Sequence, residues 1–168
     1  MKRLALTVLV IALADTAGAQ QTILLVRHAE KATDANEASV PLSEAGTARA
    51  ARLAEMLKSA GVTAVYATDT VRARRTAEPL AKAAGLEVRI YAPKDADGKS
   101  APRLLLDRLK KEEPRGVVLV VGHSNTVPEI LAALGYPEKV EIPATQFDDL
   151  FVVTPRGAAP PTVVRLKY

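Results

Sequence analysis

The sequence predicts an α/β domain: a three-layer sandwich with a largely parallel central sheet and helices on both faces. Short β-branched apolar runs alternate along the chain with longer stretches of helical spacing. The run over residues 117–121 is apolar throughout, as expected of a central strand buried on both faces. A length of 168 residues leaves room for one domain with a proper core. In open sheets of this kind, binding crevices lie beyond the carboxyl ends of the strands.

The amino-terminal residues stand apart. Lys2 and Arg3 precede an apolar run over residues 4–14, and Ala17, Gly18 and Ala19 supply small residues for cleavage. This is the pattern of a secretory signal peptide over residues 1–19, too short for a permanent membrane anchor. The expectation is a single domain over residues 20–168, exported to the periplasm or secreted, with no stable membrane insertion after cleavage. Cleavage leaves 21 basic and 18 acidic residues, a net charge of +3 in place of +4. That charge attracts anions mildly and falls short of a nucleic-acid-binding balance. The chain has no cysteine, which excludes disulfides, thiol chemistry and zinc-thiolate sites.

Residues 22–26 read as the first strand, ending in Arg27 and His28. Ser43 caps a helix whose Ala50, Leu53, Met56, Leu57 and Ala60 share a face, and Gly61 stops it. Residues 64–67 form a second strand. A helix over 71–84 turns Ala77, Leu80, Ala81 and Ala84 inward, although Pro79 within it removes a backbone donor. Residues 87–91 form a third strand, followed by a polar loop with Asp95, Asp97 and Gly98. Leu105, Leu106 and Leu109 mark another helix. After the strand at 117–121, Gly122 and His123 lead to a helix carrying Ile130, Leu131 and Leu134. Strands over 150–153 and 162–166, separated by a Gly and Pro turn, complete the sheet.

The only two histidines, His28 and His123, each follow a predicted strand, so both fall at one edge of the sheet. Arg27 precedes the first, Arg72 begins the second predicted helix, and the helix after His123 offers free backbone N–H groups. Arginine grips two oxygens of an anion through its planar fork and stays charged at any working pH. This set suits a phosphoryl group. Arg74 and Arg75 read as the solvated face of a helix. Aromatics are too few for base stacking, and no Gly-rich loop of the NTPase type occurs.

Four short motifs resemble those of the histidine phosphatase superfamily, also called phosphoglycerate mutase-like. Arg27-His28-Ala29-Glu30-Lys31 resembles its RHG signature, and Leu42-Ser43-x-x-Gly46 the element that follows. Arg72 with Thr76-Ala77 resembles its R-x-x-x-T-A helix, and Gly122-His123-Ser124-Asn125 its second histidine motif. The resemblance implies a phosphohistidine mechanism without a cofactor or metal. His28 would be the nucleophile, with Arg27, Arg72 and His123 catalytic around the phosphoryl oxygens. Arg27, Arg72 and His123 would also bind substrate, with Lys31 as a further contact. The substrate class is a small phosphorylated metabolite or phosphoglycan; a periplasmic relative acting on lipopolysaccharide heptose phosphate offers a precedent in setting.

The sequence departs from the family at several points. Ala29 stands where glycine usually follows the nucleophile, and Lys31 where one branch has arginine. Ser124 occupies the place of that branch's acidic proton donor. Asp95 and Asp97 are the proton-donor candidates in the loop that replaces a longer family segment, with Glu30 a further one. The missing acid keeps open an alternative, a non-catalytic phosphate- or phosphoglycan-binding protein of the same fold. A metal site from His28, Glu30 and His123 is sparse in ligands. The sequence is silent on oligomeric state.

Overall fold

The computed structural model describes residues 20–168, so the expected signal peptide lies outside the described residues. Six strands and four helices follow one another: β1 (Thr22–Arg27), α1 (Glu44–Leu57), β2 (Val62–Ala67), α2 (Val71–Ala84), β3 (Val88–Ile90), α3 (Pro102–Glu112), β4 (Val117–Gly122), α4 (Thr126–Ala133), β5 (Asp149–Arg156) and β6 (Ala159–Lys167). They form one sheet in the order β3-β2-β4-β1-β5-β6. The first four of these are mutually parallel, whereas β5 runs antiparallel to β1 and β6 antiparallel to β5. The predicted architecture is therefore present, with an antiparallel hairpin added at one edge.

Alternation along the inner strands divides the core into two layers. Leu24, Val26, Val65, Ala67, Leu119 and Val121 face α1 and α2. Ile23, Leu25, Tyr66, Val118 and Val120 face α3 and α4. Each inner strand is thus apolar on both sides, which accounts for its unbroken β-branched run.

Local signals explain the helix boundaries. The Ser43 side chain accepts a hydrogen bond from the Gly46 amide and caps α1. Thr70 caps α2, and Gly85 ends it in the left-handed region at φ 67°. Pro79 does not interrupt α2. The carbonyl deprived of a donor belongs to Arg75, on the exposed face where water can reach it.

Several sequence expectations need correction. Met56 is 45% exposed, because α1 packs through Gly46, Ala50, Leu53, Ala54 and Leu57 and leaves Met56 outside that stripe. Ala60 lies past the end of α1, and Ala84 is exposed at the last residue of α2, one turn beyond the packed Leu80 and Ala81. The third strand shortens to the pairing of Val88–Ile90 with β2.

Candidate active site

β1 and β4 are neighbours in register, with Arg27 opposite Gly122, so the residues that follow them emerge side by side. The His28 amide donates to the Gly122 carbonyl at 2.9 Å. The two imidazoles meet edge to face with centroids 5.2 Å apart. Residues 95 positions apart in the chain thus share one crevice.

The hydrogen bonds fix the tautomer of His28. Its Nδ1 lies 2.7 Å from the Ala29 carbonyl, an acceptor only, so Nδ1 carries the hydrogen and donates. Nε2 keeps its lone pair. Burial pushes the His28 pKa from 6.5 down to about 3; the Ala29 carbonyl opposes this, and His123, Arg72 and Arg27 add to it. Burial, then Arg72 and Arg27, likewise lower His123 to about 4. His123 Nε2 lies 2.9 Å from the Thr68 hydroxyl. Both rings are therefore neutral at working pH.

This neutrality has a stability cost in acid. Between about pH 6.5 and the depressed folded values of about 4 and 3, the unfolded chain binds protons at these histidines that the folded chain refuses. Their contribution to stability is complete above pH 6.5 and is lost as pH falls through that window. At about 1.4 kcal/mol per pKa unit, the loss from pH 7 to pH 4 reaches several kcal/mol. His123→Gln should flatten the dependence of urea midpoints on pH between 6.5 and 4; an unchanged slope would contradict the assignment.

The two arginines are almost fully buried, Arg27 at 6% and Arg72 at 7% exposure. Arg27 Nη1 donates to the carbonyls of Pro143, Ala144 and Gln146 at 2.8, 3.0 and 2.9 Å, and its guanidinium lies 4.0 Å over the Phe147 ring. Arg72 Nη1 donates to the Glu37 carbonyl at 3.0 Å. The Nε of each is buried without a hydrogen-bond partner. Two guanidinium groups and two neutral imidazoles thus line one crevice, a set suited to an oxyanion.

The remaining motif residues support the His28 loop. Thr76 Oγ1 donates to the Arg72 carbonyl at 2.8 Å and accepts from the Ala29 amide at 3.0 Å, tying the residue after His28 to α2. Ala29 is wholly buried, and no described residue other than glycine has positive φ, so alanine meets no backbone strain where glycine is usual. Glu30 is held by Arg49 through contacts of 2.9, 2.9 and 2.6 Å. Thr76→Val should orphan the Ala29 N–H and cost about 2 kcal/mol, measurable by urea denaturation. A stability within experimental error of the parent would mean that this amide finds another partner.

A cavity of about 490 Å³ joins Arg27, His28, Arg72 and His123, with Lys31, Lys94, Ser100 and Glu129 among its other lining residues. The four proposed central residues are therefore brought together. Lys31 lines the cavity, but its Nζ donates to the Asp34 and Ala35 carbonyls and to Asn36 Oδ1, so its first task is to shape that loop. Asp95 and Asp97 do not line it. Asp95 Oδ1 instead accepts from the Asp97 and Lys99 amides, closing its own turn. The Arg49 pairing likewise withdraws Glu30 from a proton-donor or metal-ligand role. A larger groove of about 980 Å³ between α1 and α2 contains neither histidine.

Sequence reasoning missed Thr68, Phe147, the carbonyls around Arg27, Ser100 and Glu129. Thr68 had a usable signal, since it follows β2 as the histidines follow β1 and β4. The 143–147 loop had none, because an aperiodic segment does not reveal where it docks.

Fold and crevice together define a three-layer α/β protein with paired histidines at adjacent strand ends. Residues 23–92 match the model of the Histidine phosphatase superfamily (branch 1). "Probable phosphoglycerate mutase GpmB" of Cronobacter sakazakii is 34% identical over 98 residues, covering 54% of this chain and 45% of the relative. Its counterpart in Photorhabdus laumondii is 37% identical over 71 residues, covering 39% and 33%. The chain thus spans less than half the length of the curated relatives it matches. The protein histidine phosphatase SixA complexed with tungstate shares the fold at a TM-score of 0.71 and 21% identity, covering 87% of this chain and 96% of SixA. A mycobacterial glucosyl-3-phosphoglycerate phosphatase complexed with VO3 gives 0.66 and 18%, covering 89% and 99%.

Proposed function

We propose that this chain is a phosphomonoesterase acting through a phosphohistidine on His28, with a small phosphorylated metabolite or a phosphoglycan as substrate. The observation that carries this reading is the neutral His28, its Nδ1 engaged and Nε2 free, between His123 and two buried arginines with unpaired Nε donors. Nε2 attacks phosphorus, an N–P bond forms, and the ester P–O bond breaks. Water then attacks phosphorus, the N–P bond breaks, and inorganic phosphate leaves. Arg27, Arg72 and His123 offset the charge on the three oxygens that stay with phosphorus.

Phosphohistidine and a glucosylated phosphoglycerate are the substrate types named for the two structural neighbours. A cavity of about 490 Å³ admits a sugar phosphate or a phosphorylated side chain of that size. The amino-terminal pattern supports export, which favours a metabolite or glycan over a cytosolic phosphoprotein. The test is to incubate the protein with p-nitrophenyl phosphate and a panel of natural monoesters, quench, and look for acid-labile, base-stable phosphate on His28. Tight phosphate binding with neither turnover nor trapped phosphate would favour a non-catalytic binder.

A further inference from the structure

Breaking an ester to an alcohol requires a proton for the leaving oxygen, and the cavity restricts where that proton can come from. His28 is the nucleophile in the reading above, on which this inference rests. His123 is neutral, and a neutral imidazole is a poor acid. Asp95 and Asp97 close a turn outside the cavity, and Glu30 is bound to Arg49. Lys31 and Lys94 line the cavity as ammonium groups, which suit the oxygens of an anion and are strongly hydrated point charges rather than carboxyl acids. One carboxyl group remains among the described lining residues, that of Glu129.

Glu129 is held in place. It sits in the first turn of α4, three residues beyond Thr126, whose hydroxyl accepts from the His123 amide at 2.7 Å. The helix that follows the second histidine therefore fixes both groups. From the opposite wall, Ser100 Oγ donates to Glu129 Oε2 at 2.6 Å, which leaves Oε1 free. Ser100 pairs across a narrow turn with Lys94, and that turn is closed by Asp95 through its carboxylate and its backbone. The loop that was expected to supply the acid instead supplies its holder.

We propose that Glu129 is the proton donor to the leaving oxygen, positioned by Ser100. As the P–O bond breaks, the proton passes from Glu129 to the departing oxygen and leaves a carboxylate. That carboxylate takes a proton from the water that attacks the phosphohistidine, and Glu129 is restored. Protons balance over the cycle, and no co-reactant is needed.

The proposal separates substrates by leaving group. In Glu129→Gln, first-turnover release of an alcohol from glycerol phosphate should fall by about 100-fold or more, whereas release of dinitrophenolate from 2,4-dinitrophenyl phosphate should change by no more than about threefold. Ser100→Ala should give a smaller loss in the same direction, with the melting temperature of both variants checked against the parent. An equal loss on both substrates, or no loss on either, would overturn the assignment of Glu129. Failure of the parent protein to take phosphate onto His28 from either substrate would overturn the underlying phosphatase reading, an outcome recognisable without any variant.

Discussion

His28→Ala is expected to lower turnover by about 10⁴-fold or more and to abolish the trapped phosphoryl group, while phosphate still binds. The size of the effect follows from the division of labour in the crevice. In the proposed mechanism Arg27, Arg72 and His123 bind and stabilise charge, and His28 Nε2, with its Nδ1 hydrogen committed to the Ala29 carbonyl, forms the covalent bond. Removing the ring leaves both arginines in place, because the carbonyls that hold them belong to Pro143, Ala144, Gln146 and Glu37. Isothermal titration with inorganic phosphate checks the binding, and mass spectrometry of the acid-sensitive adduct checks the chemistry. Retained turnover, or phosphate trapped on another residue, would remove His28 from the centre of the mechanism.

Gly46→Ala should be the most damaging single methyl group near the site. A Cβ built there would stand 2.2 Å from the Glu30 carbonyl oxygen and 3.0 Å from the Glu30 nitrogen. Both are backbone atoms of the segment that leaves His28, so no side chain can swing away. The first turn of α1 and the His28 loop must separate, at about 3 kcal/mol or more. For a domain of this size that corresponds to a loss of about 10 °C in melting temperature. Turnover should fall together with stability, since the shift reaches Ala29 and its hydrogen bond to Thr76. A variant that melts with the parent and turns over normally would show that the two segments move apart at little cost.

Most of the fold was legible because burial on both faces forces a nearly continuous apolar run, and the inner strands obey that constraint. The histidines were legible because a polar residue just past such a run has a defined place, the carboxyl edge of the sheet. Helix faces were less so. Met56 lies beside the packed stripe of α1, and an apolar residue one position off cannot be distinguished by spacing alone. The misplaced proton donors have a different cause. Asp95 and Asp97 have the right chemistry in the right loop, but whether an aspartate faces a cavity or closes its own turn depends on backbone geometry that composition does not encode. Glu129 was hidden for the converse reason, inside an amphipathic helix where a charged residue attracts no notice.

The strand order also determines when during synthesis the site can exist. Residues 23–92 carry Arg27, His28 and Arg72, yet β1 and β2 within that span do not touch as strands, because β4 lies between them. A growing chain that has emerged only that far can pair β2 with β3, but β1, which leads into His28, lacks both its neighbours, β4 and β5. Val117–Gly122 must insert as the middle strand before His28 gains its backbone partner at Gly122 and its neighbour His123. The proposed site is therefore completed only when β4 joins the sheet, and a chain cut short before it lacks the crevice.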